Sequence, residues 1–189
     1  MLAPSRILTV KNRKRAALAG LAFGLLVAGT VLAAPAEQVW DDGTFSARSE
    51  GALVALTNLS RVSERLAPLD VDPRLTAIAR WRSQDMAIRG YFSHAIPPGG
   101  GTVFETIQAD GYCFTLAGEN IGWNTHPDSV ATDQIQRAFL ASPGHRGNVL
   151  GQGWNAIGVG AWKAQGGRKL WTVLFADACG DVMEPRLGP

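Results

Sequence analysis

The stretch Ser142-Pro143-Gly144-His145-Arg146-Gly147-Asn148 follows a predicted helix and places a histidine directly after a proline and a glycine. Two other segments have the same character. Gly118-Glu119-Asn120-Ile121 puts a carboxylate in a short apolar segment flanked by glycines, and Tyr91-Phe92-Ser93-His94 ends another predicted helix. Two histidines and one glutamate, each beside residues that turn the chain, indicate a small concave polar site.

Charge is distributed unevenly along this chain of 189 residues. Residues 1–36 carry five basic side chains and no acidic ones. Residues 37–189 carry 13 basic and 16 acidic side chains, so their net charge is 13 − 16 = −3, against +2 for the whole chain. The larger part therefore lacks a basic excess of the kind that binds nucleic acid, and we expect no nucleic-acid partner. Its length suits one domain with its own core.

The first 36 residues predict an export signal. A basic run ends at Arg15, residues 16–34 are uncharged and largely apolar, and Ala34-Pro35-Ala36 offers small residues for cleavage. The apolar run is also close to the length that spans a bilayer, so a retained anchor is the alternative. Both interpretations predict a secreted, periplasmic or cell-envelope protein, which touches a membrane only if the segment is retained.

Cys113 and Cys179 are the only cysteines in the sequence. In the oxidising compartment that export implies, a disulfide between them is the simplest expectation. Two buried free thiols are the alternative. A two-cysteine metal site does not fit, because the pair lacks the CxxC spacing of such sites.

Apolar spacing and turn residues predict helices first and a strand hairpin last. One helix begins near Ser49, a second runs from Asp72-Pro73 to a glycine cap at Gly90, and a third follows residues 126–129. Residues 155–176 alternate around a turn and predict a hairpin. With no βαβ repeat, this order favours the α+β class.

The same features divide the chain into four parts. We expect a signal peptide or anchor at 1–36, a linker at 37–48, the folded domain at 49–180 and a tail at 181–189. Residues 95–101 contain three glycines in a row but no lysine to contact a phosphate, so we interpret them as a flexible loop.

A set of short segments, each weak alone, occurs in a definite order over about residues 50–176. They are Leu53-Val54-Ala55-Leu56-Thr57-Asn58-Leu59-Ser60-Arg61, Leu66-Ala67-Pro68-Leu69-Asp70, Phe92-Ser93-His94, Ala117-Gly118-Glu119-Asn120-Ile121, Phe139-Leu140-Ala141-Ser142-Pro143-Gly144-His145-Arg146-Gly147-Asn148-Val149-Leu150, Ile157-Gly158-Val159-Gly160 and Trp171-Thr172-Val173-Leu174-Phe175. In this order they resemble the CAP superfamily (cysteine-rich secretory proteins, antigen 5 and pathogenesis-related proteins) in its bacterial SCP-like form.

The resemblance implies a three-layer α-β-α sandwich with a central antiparallel sheet. In that family a cavity is typically lined by two histidines and two acids, and some members bind zinc or another divalent cation there. By position, His94 and His145 match the histidines and Glu119 matches the first acid. The second acid would fall near Ser142, where this chain has no carboxylate, so we expect weaker cation binding. Asp133 and Glu105 are candidates to replace it.

Three functions are compatible with these residues. The first is a binding or interaction module for a protein, cell-envelope or small-molecule ligand, with a divalent cation, zinc first, in the His/Glu cavity. The second is a metal-dependent hydrolase, a peptidase, with His94 and His145 on the metal and Glu119 as the base. Extracellular lipid or sterol binding is the third and would need an apolar groove. The missing acid favours the first.

Each site residue also has a structural interpretation. His94 can interact with a helix dipole, His145 can cap the turn after the third helix, and Glu119 can accept backbone N–H groups in a glycine-rich turn. A serine hydrolase built on Ser93 or Ser142 is disfavoured, because adjacency in sequence does not supply the geometry that Ser-His catalysis needs.

Four further residues have predicted supporting positions. Arg82 falls on the apolar stripe of the second helix, so we expect it to be partly covered. Trp123 is expected to line the mouth of the cavity. Arg146 and Asn148 are expected to tie loops together.

Overall fold

The computed structural model describes residues 39–179, so the predicted signal segment and the predicted tail lie outside the described residues. In chain order the elements are β1 (Thr44–Phe45), α1 (Ala47–Ser63), β2 (Asp70–Val71), α2 (Pro73–Ile88), α3 (Val103–Ala109), β3 (Phe114–Asn124), α4 (Asp128–Ala141), α5 (Pro143–Val149), β4 (Ala156–Lys163) and β5 (Lys169–Ala178). Within residues 39–179, none of the helices has the length and apolar character needed to cross a membrane.

A five-stranded sheet forms the middle layer. Its order is β1-β4-β5-β3, and β2 pairs with β4 beside this path. All pairs are antiparallel except β2 with β4. The predicted hairpin is confirmed as β4-β5. At the end of this order lies β3, which has a strand neighbour on one side only among the described residues.

Helices cover both faces of the sheet and give two cores. Val173 and Phe175 point into a core with α1, α4 and α5, whereas Leu174 and Ala176 point into a core with α2 and α3. This alternation follows from the two-residue period of a strand. The predicted α+β class and the three-layer α-β-α sandwich with a central antiparallel sheet are confirmed.

Helix α2 lies very close to β4 because two strand residues lack side chains. A Cβ atom on Gly158 would lie 2.3 Å from the carbonyl carbon of Leu75, and one on Gly160 would lie 2.3 Å from that of Ala79. Real Cβ atoms do not approach a backbone so closely, so these glycines set the height of α2 above the sheet. Arg82 follows in the next turn, and its position depends on that height.

The predicted ends of α2 are confirmed. Asp72 Oδ1 accepts hydrogen bonds from the backbone N–H groups of Arg74 at 2.7 Å and Leu75 at 3.0 Å. Pro73 occupies the first turn, where its missing N–H costs nothing. Gly90 follows the helix with φ of 69°, the left-handed conformation that a glycine adopts without strain.

The prediction of a linker at 37–48 is wrong for the part that the structure describes. Trp40 is buried, with its ring centroid 5.9 Å from that of Trp171. Strand β1 pairs with Trp162 and Lys163 of β4. A lone aromatic residue and a two-residue strand have no periodicity to detect, so the domain begins earlier than Ser49.

Cys113 and Cys179 form the predicted disulfide, with Cα atoms 5.4 Å apart. The bond ties the segment before β3 to the residue that follows β5. Cys179 N–H also donates to the carbonyl of Cys113 at 3.1 Å. The disulfide therefore links the start of β3 covalently to the end of its neighbour β5.

Candidate functional site

The candidate site is built on β3, an 11-residue strand. Its glycines do not form a turn around Glu119; they admit neighbouring side chains. A Cβ on Gly122 would lie 2.6 Å from Ile135 Cδ1, and one on Gly118 would lie 3.2 Å from Asn148 Oδ1. The structural interpretation of Glu119 as an acceptor in a glycine-rich turn is therefore wrong, and Glu119 lies in the interior of a strand.

The Glu119 carboxylate is buried, and its two oxygens have different partners. Oε1 accepts a hydrogen bond from Arg82 Nε at 3.1 Å, and Oε2 lies 2.5 Å from His94 Nδ1. Because an ionised carboxylate only accepts, Nδ1 carries the proton, and in the neutral ring Nε2 keeps the lone pair. The His94 side chain is 57% exposed, whereas that of Glu119 is 3% exposed. A buried carboxylate thus holds an accessible imidazole.

Arg82 is completely buried, more than the sequence indicated, and it belongs to the site. Besides Glu119, its guanidinium donates to Tyr91 Oη at 2.6 Å and to the carbonyl oxygen of Ser93. It therefore joins α2, β3 and the segment that carries His94. Arg82 was not predicted to be a site residue, although a charged residue on an apolar helical stripe was the available signal.

A second group of charges supports Tyr91 from the solvent side. Tyr91 Oη donates to Asp85, and Arg89 Nε donates to the same carboxylate at 2.7 Å. Burial acts to raise the pKa of Asp85, but hydrogen bonds from Arg89 and Tyr91 outweigh it and lower that pKa below its ordinary value. Arg89 also donates to the carbonyl of Pro97 at 2.6 Å, which fastens the loop after His94.

His145 reaches the site from α5, a short helix that the sequence did not predict. The structural alternative for His145, a cap on the preceding turn, is wrong, because the residue lies inside that helix. Its half-buried ring has its centroid 5.2 Å from that of Phe139. Burial lowers the pKa of His145, and the charge of nearby His94 lowers it further. Both histidines are also tied to adjacent residues of β3, His94 to Glu119 and His145 to Asn120.

A pair of asparagines fixes α5 to β3. Asn120 Nδ2 donates to the carbonyl of His145 at 3.0 Å. Asn148 Nδ2 lies 3.1 Å from the carbonyl oxygen of Glu119 and 2.8 Å from Asn120 Oδ1. Trp154 Nε1 donates to the carbonyl of Asn148 at 2.9 Å. Asn148 was predicted to tie loops together, and it instead ties helix α5 to strand β3. Adjacent residues of β3, Glu119 and Asn120, thus place the two histidines.

The remaining predicted residues have other contacts. Glu105 caps α3 by accepting from Thr102 N–H at 3.3 Å, and Asp133 lines a cavity of about 230 Å³ between α1 and α4. The half-exposed ring of Trp123 lies under the Arg168 guanidinium, 4.5 Å from its carbon. Across residues 39–179, no three His, Cys, Asp or Glu residues are grouped so that they could hold a metal ion.

Sequence comparison places the fold among known proteins. The model of the family described as CAP, the cysteine-rich secretory protein family, matches residues 54–175. The chain is 34% identical over 151 residues to the uncharacterized protein YkwD of Bacillus subtilis (strain 168), an alignment that covers 77% of this chain and 56% of YkwD. The chain therefore spans little more than half the length of this curated relative.

Solved structures agree with that match. An extracellular protein containing an SCP domain from Bacillus anthracis str. Ames is 33% identical, with a TM-score of 0.57 over 68% of this chain and 40% of that chain. An outer surface protein from Borrelia burgdorferi has a TM-score of 0.65 at 19% identity, over 72% of this chain and 99% of that chain. The structure of NaASP2 with Zn²⁺ has a TM-score of 0.52 at 13% identity, over 75% of this chain and 85% of that chain. The last two likenesses are likenesses of fold.

Proposed function

The chain belongs to the CAP family of cysteine-rich secretory proteins, and from this membership we propose that it is a binding module that works outside the cytoplasm. The proposed occupant of its site is a divalent cation, zinc first, held by the imidazoles of His94 and His145, with Glu119 orienting the His94 ring. The export signal predicted at 1–36 supports the location, as does the 33% identity to an SCP-domain protein described as extracellular.

The donors of the site suit a cation held by two imidazoles. Glu119 engages Nδ1 of His94 and leaves Nε2 as the ligand atom, an arrangement in which a carboxylate orients a metal-bound histidine. The lowered pKa of His145 favours the neutral ring that a metal requires. Zinc accepts imidazole nitrogen readily, and one protein of this fold was solved with that ion. A bound cation would supply a positive charge to attract an anionic or carbonyl group of a ligand.

One observation carries the choice of binding over catalysis: the Glu119 carboxylate is buried, and each of its oxygens already accepts a hydrogen bond from the protein. Arg82 Nε takes Oε1 and His94 takes Oε2. A general base must come within hydrogen-bond reach of its substrate or of a water molecule, and a side chain that is 3% exposed offers little access to either. In this arrangement Glu119 is suited to hold His94 rather than to ligate the ion or accept a substrate proton. We therefore favour the binding module over the peptidase.

A zinc titration by calorimetry tests the proposal. We expect saturable binding to the wild-type protein and its loss in the His94→Ala/His145→Ala double variant. His126→Ala is the matched control, because among residues 39–179 this exposed third histidine is hydrogen-bonded through its backbone alone, to Asn124 and Lys169. Equal binding by the double variant, or none by the wild type, would contradict the proposal.

Two further assays separate the alternatives. Zinc-dependent cleavage of an unfolded protein that disappears in a Glu119→Gln variant would support the peptidase instead. Binding to lipid vesicles that does not require a cation would support the lipid-binding alternative.

A further inference from the structure

We propose that Arg82 is the positioning residue of the site, because its guanidinium fixes both the ring and the backbone of His94. This inference rests on the proposed function of the His94 and His145 site. It adds a residue from α2 that ligates nothing itself and acts through two neighbours.

The guanidinium controls His94 by two separate routes. Through Nε it holds Glu119 Oε1, and the other oxygen of that carboxylate holds the His94 ring. Through Nη2 it holds the carbonyl of Ser93, the peptide group directly before His94. Ring orientation and chain position are therefore set by one rigid, planar group.

A third bond makes the arrangement stiff. Arg82 Nη1 donates to Tyr91 Oη at 2.6 Å, and the guanidinium carbon lies 5.4 Å from the Tyr91 ring centroid. Tyr91 is itself held by Asp85. The three donors thus diverge to three acceptors, and together they fasten the segment 91–94 to α2.

Burial makes the guanidinium difficult to replace. The Arg82 side chain is 0% exposed and that of Glu119 is 3% exposed. A buried carboxylate that loses its cationic partner has little access to water, so its remaining hydrogen bonds must compensate or rearrange. Loss of Arg82 would therefore change the hydrogen bond that Glu119 makes to His94.

Lysine is the informative substitution, because it keeps the positive charge and lacks the planar guanidinium with its several N–H donors. An ammonium group on a flexible stem lacks the planar fork that joins Glu119, Tyr91 and Ser93 at once. We expect Arg82→Lys to weaken zinc binding about 10- to 100-fold, the usual range when a residue that orients a metal ligand is lost. If Arg82 served only as a charge, Arg82→Lys would bind like the wild type.

The same helix provides a matched control. Arg80 also pairs with a buried glutamate, Glu50, but no histidine is attached to that carboxylate. Arg80→Lys repeats the substitution two residues away and should leave zinc affinity within about twofold of the wild type, well short of the loss expected at Arg82.

Nitrogen-15 NMR of the imidazole rings gives a readout that needs no zinc. The chain has three histidines, so His126→Ala and His145→Ala assign all the signals. We expect His94 to carry its proton on Nδ1, facing Glu119, in the wild type and in Arg80→Lys. In Arg82→Lys the Ser93 carbonyl is released, so the ring can move away from Glu119 and its proton should shift toward Nε2. An unchanged His94 signal together with unchanged zinc affinity in folded Arg82→Lys would overturn the inference.

Two further outcomes are informative. If the wild type binds no zinc, the proposed function fails, and the His94 tautomer alone decides the role of Arg82. If Arg82→Lys does not fold, Tyr91→Phe replaces it, because that change removes one acceptor of the guanidinium and keeps every charge. A shifted His94 signal in Tyr91→Phe supports the inference, and a wild-type signal overturns it.

Discussion

Two arginine–glutamate pairs, made by neighbouring arginines of α2, have different consequences. Arg80 meets Glu50 with two hydrogen bonds, at 2.9 and 2.6 Å, and Glu50 also accepts the N–H of Ala161 at 3.2 Å. Arg82 meets Glu119 with one bond, at 3.1 Å, and the second oxygen of Glu119 is left for His94. The Glu50 carboxylate therefore contacts helix α2 and strand β4, which belong to the framework of helices and sheet. The Glu119 carboxylate links that framework to an accessible imidazole.

The difference shows why burial and pairing alone do not identify a functional carboxylate. Counted over the whole residue, Glu50 and Glu119 are almost equally buried, at 6% and 7% exposed. Each pairs with an arginine of the same helix. The two glutamates differ in what their carboxylate contacts besides the arginine: Glu119 contacts the His94 ring, and Glu50 contacts the backbone N–H of Ala161. Of the two, only Glu119 reaches a side chain with a free ligand atom, so only that pair belongs to the site.

The largest expected effect is on stability and separates the two arginines. Arg82→Met leaves a buried carboxylate without its cation, which costs about 3–5 kcal/mol of unfolding free energy. Arg80 is 39% exposed, and its loss leaves Glu50 with a backbone donor, so Arg80→Met should cost about 1 kcal/mol. Urea unfolding of both variants measures the difference, and equal losses would show that the two pairs are alike.

Sequence patterns predicted most of the framework that carries these pairs. Asp72-Pro73 and Gly90 bound α2 by local rules of capping that need no tertiary information. The alternation of apolar residues around a turn predicted the hairpin at residues 155–176. The Arg82–Glu119 pair was not predicted, because 37 residues separate the partners and no local rule reports which residue of β3 faces α2.

A second change tests whether any loss of stability in β3 disturbs the site. The disulfide closes a loop with a sequence separation of 66 residues. On the chain-entropy model, replacing Cys113 and Cys179 by serine should cost about 4 kcal/mol. The disulfide lies just before the first residue of β3, six residues before Glu119 in the sequence. The zinc affinity of the folded variant should therefore stay at the wild-type value. Weakening tenfold or more would remove the distinction between framework and site.

The wrong predictions have a common physical cause. Gly118 and Gly122 resemble turn residues in the sequence, but they are strand residues that admit Asn148 and Ile135. Residues 39–48 resemble a linker because one buried tryptophan and a two-residue strand give no repeating pattern. In each case a long-range contact, absent from local sequence, decides the structure.

The smallest effect concerns the dependence of stability on pH. Burial and nearby His94 lower the pKa of His145 in the folded protein, so the unfolded chain binds more protons just below pH 6.5. Stability should therefore fall as pH decreases through that window. His145→Ala should remove this part of the slope in urea unfolding at about pH 5, 6 and 7, while His126→Ala should keep it. An unchanged slope in His145→Ala would contradict the assignment.

The most direct test is a zinc titration of Glu119→Gln beside Glu50→Gln. Both variants keep the shape of a buried glutamate that an arginine of α2 contacts, and only one removes the carboxylate that holds His94. We predict zinc affinity about 10- to 100-fold weaker in Glu119→Gln and unchanged in Glu50→Gln. Equal affinities in the two variants and the wild type would contradict the claim that Glu119 links the framework to the binding site.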